Sequence, residues 1–600
     1  MIDIENIRNN QVKIMALGNH SPIIQSILDF DFLSGKKDPS ILGILGAGRN
    51  FYRYFFGERE ILIPVFKNIE SIPRSRLDKA SLFLNLTSGR RILTSTKEII
   101  EKAPGILGGA IFAENVPEKH SIKLYRETKK HNKFLIGPAS VGLLIPGILK
   151  LGAIGGIETK QVANSYFLHS LAGACVMSSS GGMTNEILRI AIGKNIPISF
   201  SISFGGDRFP ITTPEEAFLA AEKDPKTLSI IYFGELGGVD EYRVAKLLKS
   251  GRVKKKVVCY IAGKVANAFE TPPQFGHAKA LAQNELETAE SKIKALKDSG
   301  ASVAETFSEF TRLISTFQKE VFKDGKDYSK IVQSMKDRKH ALIATTISKE
   351  RDGDVKILGE DLVTFSKSHS LPFIIASLFL GHKIKSKELE EFVDFVLRIL
   401  VDHGPQVSGA LNTIVTSRAG RDLPSSLSSG ILTIGPRFGG AINQAAKNFL
   451  EGVSSGKSAG QFTEEFASKK IYIAGIGHKK YSVDFPDPRV IEILKFSEKL
   501  GEKKFTTYAM EVEKITTAKK GNLILNVDGA IAAVLLDVLS EKEGLSHEEL
   551  IKLTETEFFN ALFILSRSIG LLAHALDQKR LDEGLIRLDE DQIVEAEISE

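Results

Sequence analysis

The chain has 600 residues, 42% hydrophobic and 25% charged, which is enough apolar material for several cores and, by length, roughly four domains. Its formal charge of +6 is too slight over this length to imply a nucleic-acid surface. The two cysteines, Cys175 and Cys259, sit singly in apolar runs, which excludes a disulfide scaffold and a thiolate zinc site.

The N-terminus, Met1-Ile-Asp-Ile-Glu-Asn6, is acidic and lacks the apolar region of a signal peptide. The longest apolar run, near Leu371–Leu380, is too short to cross a bilayer. A soluble, cytoplasmic protein with reduced core thiols is expected, with no membrane or nucleic-acid partner.

From Gln11 to about Lys150, short apolar runs alternate with helical patterns. Val12–Leu17 is a strand ended by Gly18, and Ile41–Leu45 leads into Gly46-Ala-Gly48. Glu60–Asn68 and then Lys133–Gly142, which contains Pro138, follow. Such alternation predicts a parallel sheet with crossover helices, and glycines after strands suit a nucleotide-like ligand at strand C-termini. Taken alone, Gly46-Ala-Gly48 is a weak signal, because glycine pairs end many strands. Glu114 follows the strand-like Gly108–Phe112, a place where an acidic residue is often just a helix cap.

A second alternating region runs from about Gln161 to Phe322. Ser180-Gly181-Gly182 opens a helix with consecutive backbone N–H groups, a natural anion site. An ordinary N-cap accounts for Ser180 but not for both glycines. Leu228–Phe233 is a strand that leads into Gly234-Glu-Leu-Gly-Gly238, carrying Glu235. Val257–Ala262 is another, and after it comes the loop Thr271-Pro-Pro-Gln-Phe-Gly-His-Ala278. Leu286, Ala289, Ile293 and Leu296 then keep the spacing of an amphipathic helix that stops at Gly300. His277 thus lies on a loop between a core strand and a surface helix. By itself it could be a nucleophile, a ligand or a simple hydrogen-bonder, and the last is by far the commonest.

Residues 324–340 are charged and read as a linker. Beyond them the pattern turns to long helical stretches over residues 341–600. Val401-Asp-His-Gly-Pro405 supplies His403. Ile473-Ala-Gly-Ile-Gly-His478 with Asp487-Pro-Arg489 supplies His478 and Arg489, and Asn526-Val-Asp-Gly529 supplies Asp528. A core histidine or a capping aspartate would explain each of these about equally well. Gly452-Val-Ser-Ser-Gly-Lys-Ser458 is one residue short of P-loop spacing and follows a helical segment, so it reads as an interhelical loop.

The order and spacing of Ser178–Glu186, Gly234–Gly238 and Phe275–Ala278 resemble the alpha subunit of the succinyl-CoA synthetase family. The helical motifs, with Ser566-Arg-Ser568 and Leu576–Arg580, are similar to the citrate synthase superfamily. Across essentially the whole chain the combination resembles the ATP-citrate lyase family in its two-subunit form. The resemblance implies a Rossmann-like CoA-binding domain (1–160), a flavodoxin-like ligase domain (161–323), a linker (324–340) and a helical citrate synthase-like domain (341–600): α/β followed by all-α.

The resemblance also implies roles. His277 is transiently phosphorylated, with Glu114 and Glu235 near it, and Ser180, Gly181 and Gly182 face it and the substrate carboxylates. Citrate receives the phosphate, and coenzyme A converts citryl phosphate to citryl-CoA. His403, Arg489 and Arg567 hold carboxylates, His478 takes the tertiary hydroxyl proton, and Asp528 returns a proton to the acetyl-CoA enolate. Gly18, Pro138 and Lys520 are the implied coenzyme A contacts, and no metal site is implied in this chain. ATP and magnesium belong to an ATP-grasp partner, the beta-type small subunit, because this chain shows no such domain. Self-association through the helical domain and a hetero-octamer are further implications.

Three departures from the family pattern stand out. Phe438 in Gly435-Pro-Arg-Phe-Gly-Gly440 occupies the place of the acid histidine of citrate synthases, as in ATP-citrate lyases. A phenyl ring cannot protonate a thioester oxygen, so synthesis of citrate from acetyl-CoA is expected to be poorly supported. Leu411 replaces a histidine of other lyases, and the loop Gly43–Asn50 differs from the family's version. The alternatives are a succinyl- or malyl-CoA ligase alpha subunit fused to an acyl-CoA lyase, which product analysis with each acid would reveal, and a non-catalytic assembly scaffold. The intact His277, His403, His478 and Asp528 speak against the scaffold.

Overall fold

The computed structural model describes residues 2–269, 274, 280–322, 326–351, 353–435, 439–596 and 598. The chain divides into two compact units, Met1–Leu342 and Ile343–Glu600.

The first unit contains two seven-stranded sheets. The first comprises β1 (Ile14–Leu17), β2 (Ile41–Leu45), β3 (Phe51–Phe56), β4 (Arg59–Phe66), β5 (Leu82–Asn85), β6 (Gly108–Ile111) and β7 (Phe134–Ile136), in the order β3-β4-β2-β1-β5-β6-β7. Only β3 runs antiparallel, as a hairpin with β4. All four residues of β1 are buried, as expected of a strand covered by helices on both faces. Strand order reverses at β1, with β2 on one side and β5 on the other. Crevices at such reversals take ligands beyond the strand C-termini, and Gly18 sits at this one. Its φ of +81° suits glycine, and a Cβ there would press on Thr87 at 3.1 Å.

The second sheet comprises β8 (Leu143–Ile145), β9 (Leu149–Leu151), β10 (Gly173–Ser178), β11 (Ile198–Ser203), β12 (Thr227–Glu235), β13 (Lys256–Ala262) and β14 (Ser302–Ala304). Its order is β14-β13-β12-β10-β11-β8-β9, and here the reversal falls at β10, between β11 and β12. The Ser178–Ser180 turn leaves β10 at that end, and Glu235 closes β12 beside it. The amphipathic helix after β13 begins at Ala289, capped by Thr288. Leu286 lies before it in a 3-10 turn, 60% exposed, so the apolar spacing extended the helix one turn too far.

The stretch predicted as a linker is not a free connector. Tyr328–Lys336 is helical, with Met335 buried. Arg338 then forms a bidentate contact to the buried Asp29 (2.9 and 3.3 Å) and stacks over Phe55. Glu60 accepts from the Ala341 N–H at 3.0 Å and pairs with His340. These contacts strap the segment to the first sheet.

The second unit opens with a small antiparallel sheet, β15 (Ser348–Arg351), β16 (Asp354–Ile357) and β17 (Glu360–Asp361), which helical periodicity did not predict. Helices follow. Val527–Asp537 is buried at almost every position and forms the centre of the unit, as expected of a helix apolar all round. Of Gly452–Ser458, read as a loop from the sequence, Gly452–Ser454 finish the helix Ala441–Ser454, residues 455–457 make the connection, and Ser458 caps the next helix. Among the described residues, Phe558–Leu581 is long and apolar enough to span a membrane, which the run-length reading missed. Half of its most apolar stretch is packed inside the unit, and Arg567 lies buried in its middle. A core helix has this character.

Candidate active site

In the first unit a cavity of about 480 Å³ is lined by Phe112, Glu114, Ser140, Gly181, Gly182 and Asp207, among others. Glu114 is exposed there and is not a cap, since the following helix, Glu118–Lys130, begins at Pro117. Ser180 caps the helix Gly181–Gly193, accepting from Met183 N–H at 3.4 Å. The two glycines have different reasons. A Cβ on Gly181 would meet Val141 at 2.7 Å, whereas one on Gly182 would meet nothing. Their first-turn N–H groups have no partner within the helix.

A second cavity, of about 290 Å³, is lined by Ser180, Met183, Glu235, Leu236, Gly263 and Ala280, with others. His277 lies outside the described residues, and so does Phe438. Gly263 and Ala280, one on each side of the His277 loop in sequence, border the cavity that Glu235 enters. Pro138 is buried, and its carbonyl lies where a Cβ on Gly205 would collide. The neighbouring Ala139 and Ser140, not Pro138, line the larger cavity.

In the helical unit, sequence-distant pieces meet at one place. The turn Gly475–His478 is stitched to residues 522–526: Gly477 N–H donates to Ile524 O (2.7 Å), His478 N–H to Asn522 O (3.0 Å) and Asn526 N–H to Gly475 O (3.0 Å). The side chains of Asn522 and Asn526 donate back to the carbonyls of His478 and Gly477. Gly475 and Gly529 allow this contact, since a Cβ on Gly529 would come within 2.4 Å of Gly475 O. Asp528, in the first turn of the central helix, directly follows this stitched segment and feels the charges of Arg489 and Arg567.

Arg489 is aimed by its own helix cap. Asp487, 1% exposed, caps Pro488–Ser497 and binds the Arg489 guanidinium at 3.1 and 2.7 Å. From there Arg489 Nη1 reaches His403 Nδ1 at 3.2 Å. His403 stands on a turn held by Asp402, whose carboxylate accepts from Gly404 N–H (3.0 Å) and contacts His574 Nε2 (3.2 Å). Arg567, one face of a helix with Gly570 and His574, is 3% exposed and stacks on Phe563 at 4.9 Å. Among the described residues its Nε and Nη1 have no hydrogen-bond partner, as expected of a cation that binds an anion.

Electrostatics agree with that reading. Loss of hydration pushes the Asp528 carboxyl up to about 6, against the opposing pull of Arg489 and Arg567. Partial desolvation lowers His403 first, and then the charges of Arg489 and Arg567 do. His478 is lowered chiefly by burial. Its Nδ1 accepts two backbone N–H groups, from Lys480 (3.0 Å) and Tyr481 (3.1 Å), so the neutral ring carries its proton on Nε2. A ring so held is a donor. The proton-acceptor role expected from the sequence would need the other tautomer, with Nε2 free of its proton.

The comparisons bear on the same elements. Residues 241–589 match the citrate synthase C-terminal domain family, and residues 177–302 match the CoA-ligase family. ATP-citrate synthase subunit 1 of Sordaria macrospora is 36% identical over 98% of this chain and 89% of its own length. The chain belongs to the ATP-citrate synthase family. ATP-citrate synthase beta chain protein 1 of Oryza sativa is 38% identical over 94% of this chain and 95% of its own. The structure of ATP citrate lyase from Methanothrix soehngenii in complex with citrate and coenzyme A matches 98% of both chains, with 35% identity and a TM-score of 0.50. As a member of the ATP-citrate synthase, or ATP-citrate lyase, family, the chain is an enzyme of citrate cleavage.

Within that ATP-citrate lyase framework the structure brings His403, His478, Arg489, Asp528 and Arg567 into one electrostatic cluster. It places Glu114, Gly181 and Gly182 on one cavity and Ser180 and Glu235 on another. Lys520 is exposed at the end of Lys504–Lys519, next to the turn that pairs with His478. Leu411 is 48% exposed on its helix. Sequence reasoning missed Asp487, Asp402, His574 and the Gly475–Gly529 contact. Of these only the Asp487-Pro-Arg489 string carried a readable signal, an N-cap aspartate before a helix-starting proline.

Proposed function

We propose that the chain is the large subunit of a two-subunit ATP-citrate lyase and carries both the phosphohistidine and the citryl-CoA cleavage site. An ATP-grasp beta-type subunit holding ATP and magnesium transfers a phosphoryl group to His277, with Glu235 and Glu114 orienting the ring. The phosphoryl group passes to a citrate carboxylate held at the Ser180–Gly182 turn. Coenzyme A thiolate then displaces phosphate, leaving citryl-CoA. The Gly18 crevice and Lys520 are the proposed coenzyme A contacts, and the enzyme works in the cytoplasm as a hetero-octamer joined through its helical units. The domain division 1–160, 161–323, 324–340 and 341–600 belongs to this reading.

In the helical unit Arg567, Arg489 and His403 bind the carboxylates of citryl-CoA, and charge-assisted bonds there are strong because the site is partly desolvated. His478 Nε2–H donates to the tertiary oxygen and stabilises the alkoxide, and then the ketone, as the hydroxyl proton passes to solvent, from which Asp528 is later reprotonated, and the carbon–carbon bond breaks. The bonding pair becomes the acetyl-CoA enolate. Protonated Asp528 delivers a proton to its carbon, giving acetyl-CoA and oxaloacetate. The observation that carries this reading is a buried guanidinium with two open donors beside a carboxyl poised near 6. A Methanosaeta concilii ATP citrate lyase, solved in complex with (3S)-citryl-CoA, supports citryl-CoA as the ligand.

The test separates the half-reactions. His277→Ala should abolish ATP-dependent acetyl-CoA formation from citrate while leaving cleavage of supplied citryl-CoA intact. The chain alone should cleave citryl-CoA yet take up no phosphate from ATP. Uptake of phosphate by the isolated chain would refute the two-subunit reading.

A further inference from the structure

One buried charge in the first unit has no part in the chemistry above. Lys292, on the helix Ala289–Lys297, is fully buried. Its ammonium donates to Glu235 O at 2.7 Å and to Gly237 O at 2.6 Å. It also forms an ion pair with Glu241 Oε2 at 2.7 Å. Glu241 is 1% exposed, and its other oxygen accepts from the hydroxyl of Tyr232 (2.9 Å), a residue of β12.

The turn leaving β12 is thus gripped on every side. Leu236 N–H donates to Ala262 O (3.0 Å) and Gly237 N–H to Glu287 O (2.8 Å), while Lys292 takes the carbonyls. Gly237 and Gly238 have φ of +85° and +66°, so the turn is built from residues with little conformational preference of their own. A Cβ on Gly234 would lie 2.9 Å from Glu241 Oε1 and 2.6 Å from Ile261, so that glycine makes room for the pair. A buried ion pair adds little net stability over an apolar replacement. What it does here is fix the backbone on either side of Leu236.

We infer that Lys292, paired with Glu241, is a positioning residue for phosphoryl transfer: it locks the Glu235–Gly237 turn so that Glu235 is presented to the cavity it shares with Ser180, Gly263 and Ala280. This rests on the proposed phosphohistidine role. Glu235, 7% exposed, lines that cavity with Ser180, Gly263 and Ala280. No contact of Lys292 itself with substrate is involved.

The experiment uses the complex of this chain with its ATP-binding subunit. Phosphate uptake from γ-labelled ATP, citryl-CoA cleavage and thermal unfolding are measured for the wild type, for His277→Ala, and for Lys292→Met/Glu241→Gln, which leaves no buried charge unpaired. The double variant should label at least ~10-fold more slowly at saturating ATP, with KM for ATP unchanged, a loss of the kind a displaced orienting group produces. Its citryl-CoA cleavage and unfolding temperature should stay close to wild type. Labelling at the wild-type rate, with the His277→Ala control blank, overturns the role of Lys292 alone. Loss of cleavage and stability in parallel with labelling makes the pair merely structural and also overturns it. A His277→Ala chain that still labels overturns the reading of the site, and this proposal with it.

Discussion

Arg489 Nη1 lies 3.2 Å from Nδ1 of His403. A guanidinium can only donate, so Nδ1 accepts and the neutral ring holds its proton on Nε2. His478 reaches the same tautomer through the Lys480 and Tyr481 N–H groups. In the proposed mechanism both imidazoles therefore act as donors, and Asp528 is the group that moves a proton. Nitrogen NMR of the two rings at neutral pH should show Nε2-protonated tautomers. His478→Gln, which keeps a donor, should retain more citryl-CoA cleavage than His478→Ala, for which a loss of roughly 10²–10³-fold is expected on removing a preorganised donor. Equal losses in the two variants would return His478 to a proton-transfer role.

Asp528 couples function to stability. Its carboxyl, raised from 3.8 to about 6 chiefly by desolvation, is protonated more readily in the folded chain than in the unfolded one. Folded protein thus binds the extra proton between about pH 4 and 6, and stability falls as pH rises through that window. Above it the cost is at most about 3 kcal/mol, from two pH units at 1.36 kcal/mol each. Asp528→Asn should therefore unfold at a higher temperature than wild type at pH 8 and lose that advantage at pH 4. Its cleavage of citryl-CoA should drop ~10²–10⁴-fold. In the wild type, cleavage should decline as pH rises past about 6, because the acid form is the one required.

Arg567 is buried with two donors unpaired among the described residues, and loss of hydration holds its pKa below the usual guanidinium value. An anion that fills the site should stabilise the chain by mass action. Thermal unfolding of the wild type should therefore shift upward with oxaloacetate, the product the proposed mechanism releases at this site, and that shift should vanish in Arg567→Met. Cleavage should fall roughly 10–100-fold, the worth of a charge-assisted hydrogen bond. An oxaloacetate shift that persists in the variant would place the anion elsewhere.

Glu60 ties down the chain just before the helical unit. Hydrogen bonding from Arg53, aided by His340 and the Ala341 N–H, holds its carboxyl at about 2. Its contribution is present above the ordinary carboxylate range and is lost as pH falls through about 2. Glu60→Ala should make residues 337–342 newly susceptible to limited proteolysis at neutral pH. Citryl-CoA cleavage should be unchanged. Protection equal to wild type would mean that the Arg338–Asp29 contact is sufficient by itself.

Local patterns in the sequence determined a good deal. Alternating apolar runs and helical spacings marked β1, β2, β12 and β13 and the change to helices after them, because strand burial and helix amphipathicity are periodic in sequence. The glycine turns after strands pointed to the right ends of both sheets. Spacing alone offered His403, His478, Arg489 and Asp528 only as separate candidates; the family resemblance grouped them and added Arg567.

Their meeting was decided by tertiary structure. Gly475 and Gly529 stand 54 positions apart, by subtraction of their numbers, and touch only because neither has a Cβ. Which nitrogen of His478 holds the proton depends on two backbone amides whose direction no spacing encodes. Asp528 owes its raised pKa to burial, and Lys292 its place to three acceptors brought together by a turn, a strand and a helix. Hydrogen bonds and desolvation act through space over a few ångströms, whereas sequence periodicity reports only which face of an element is covered.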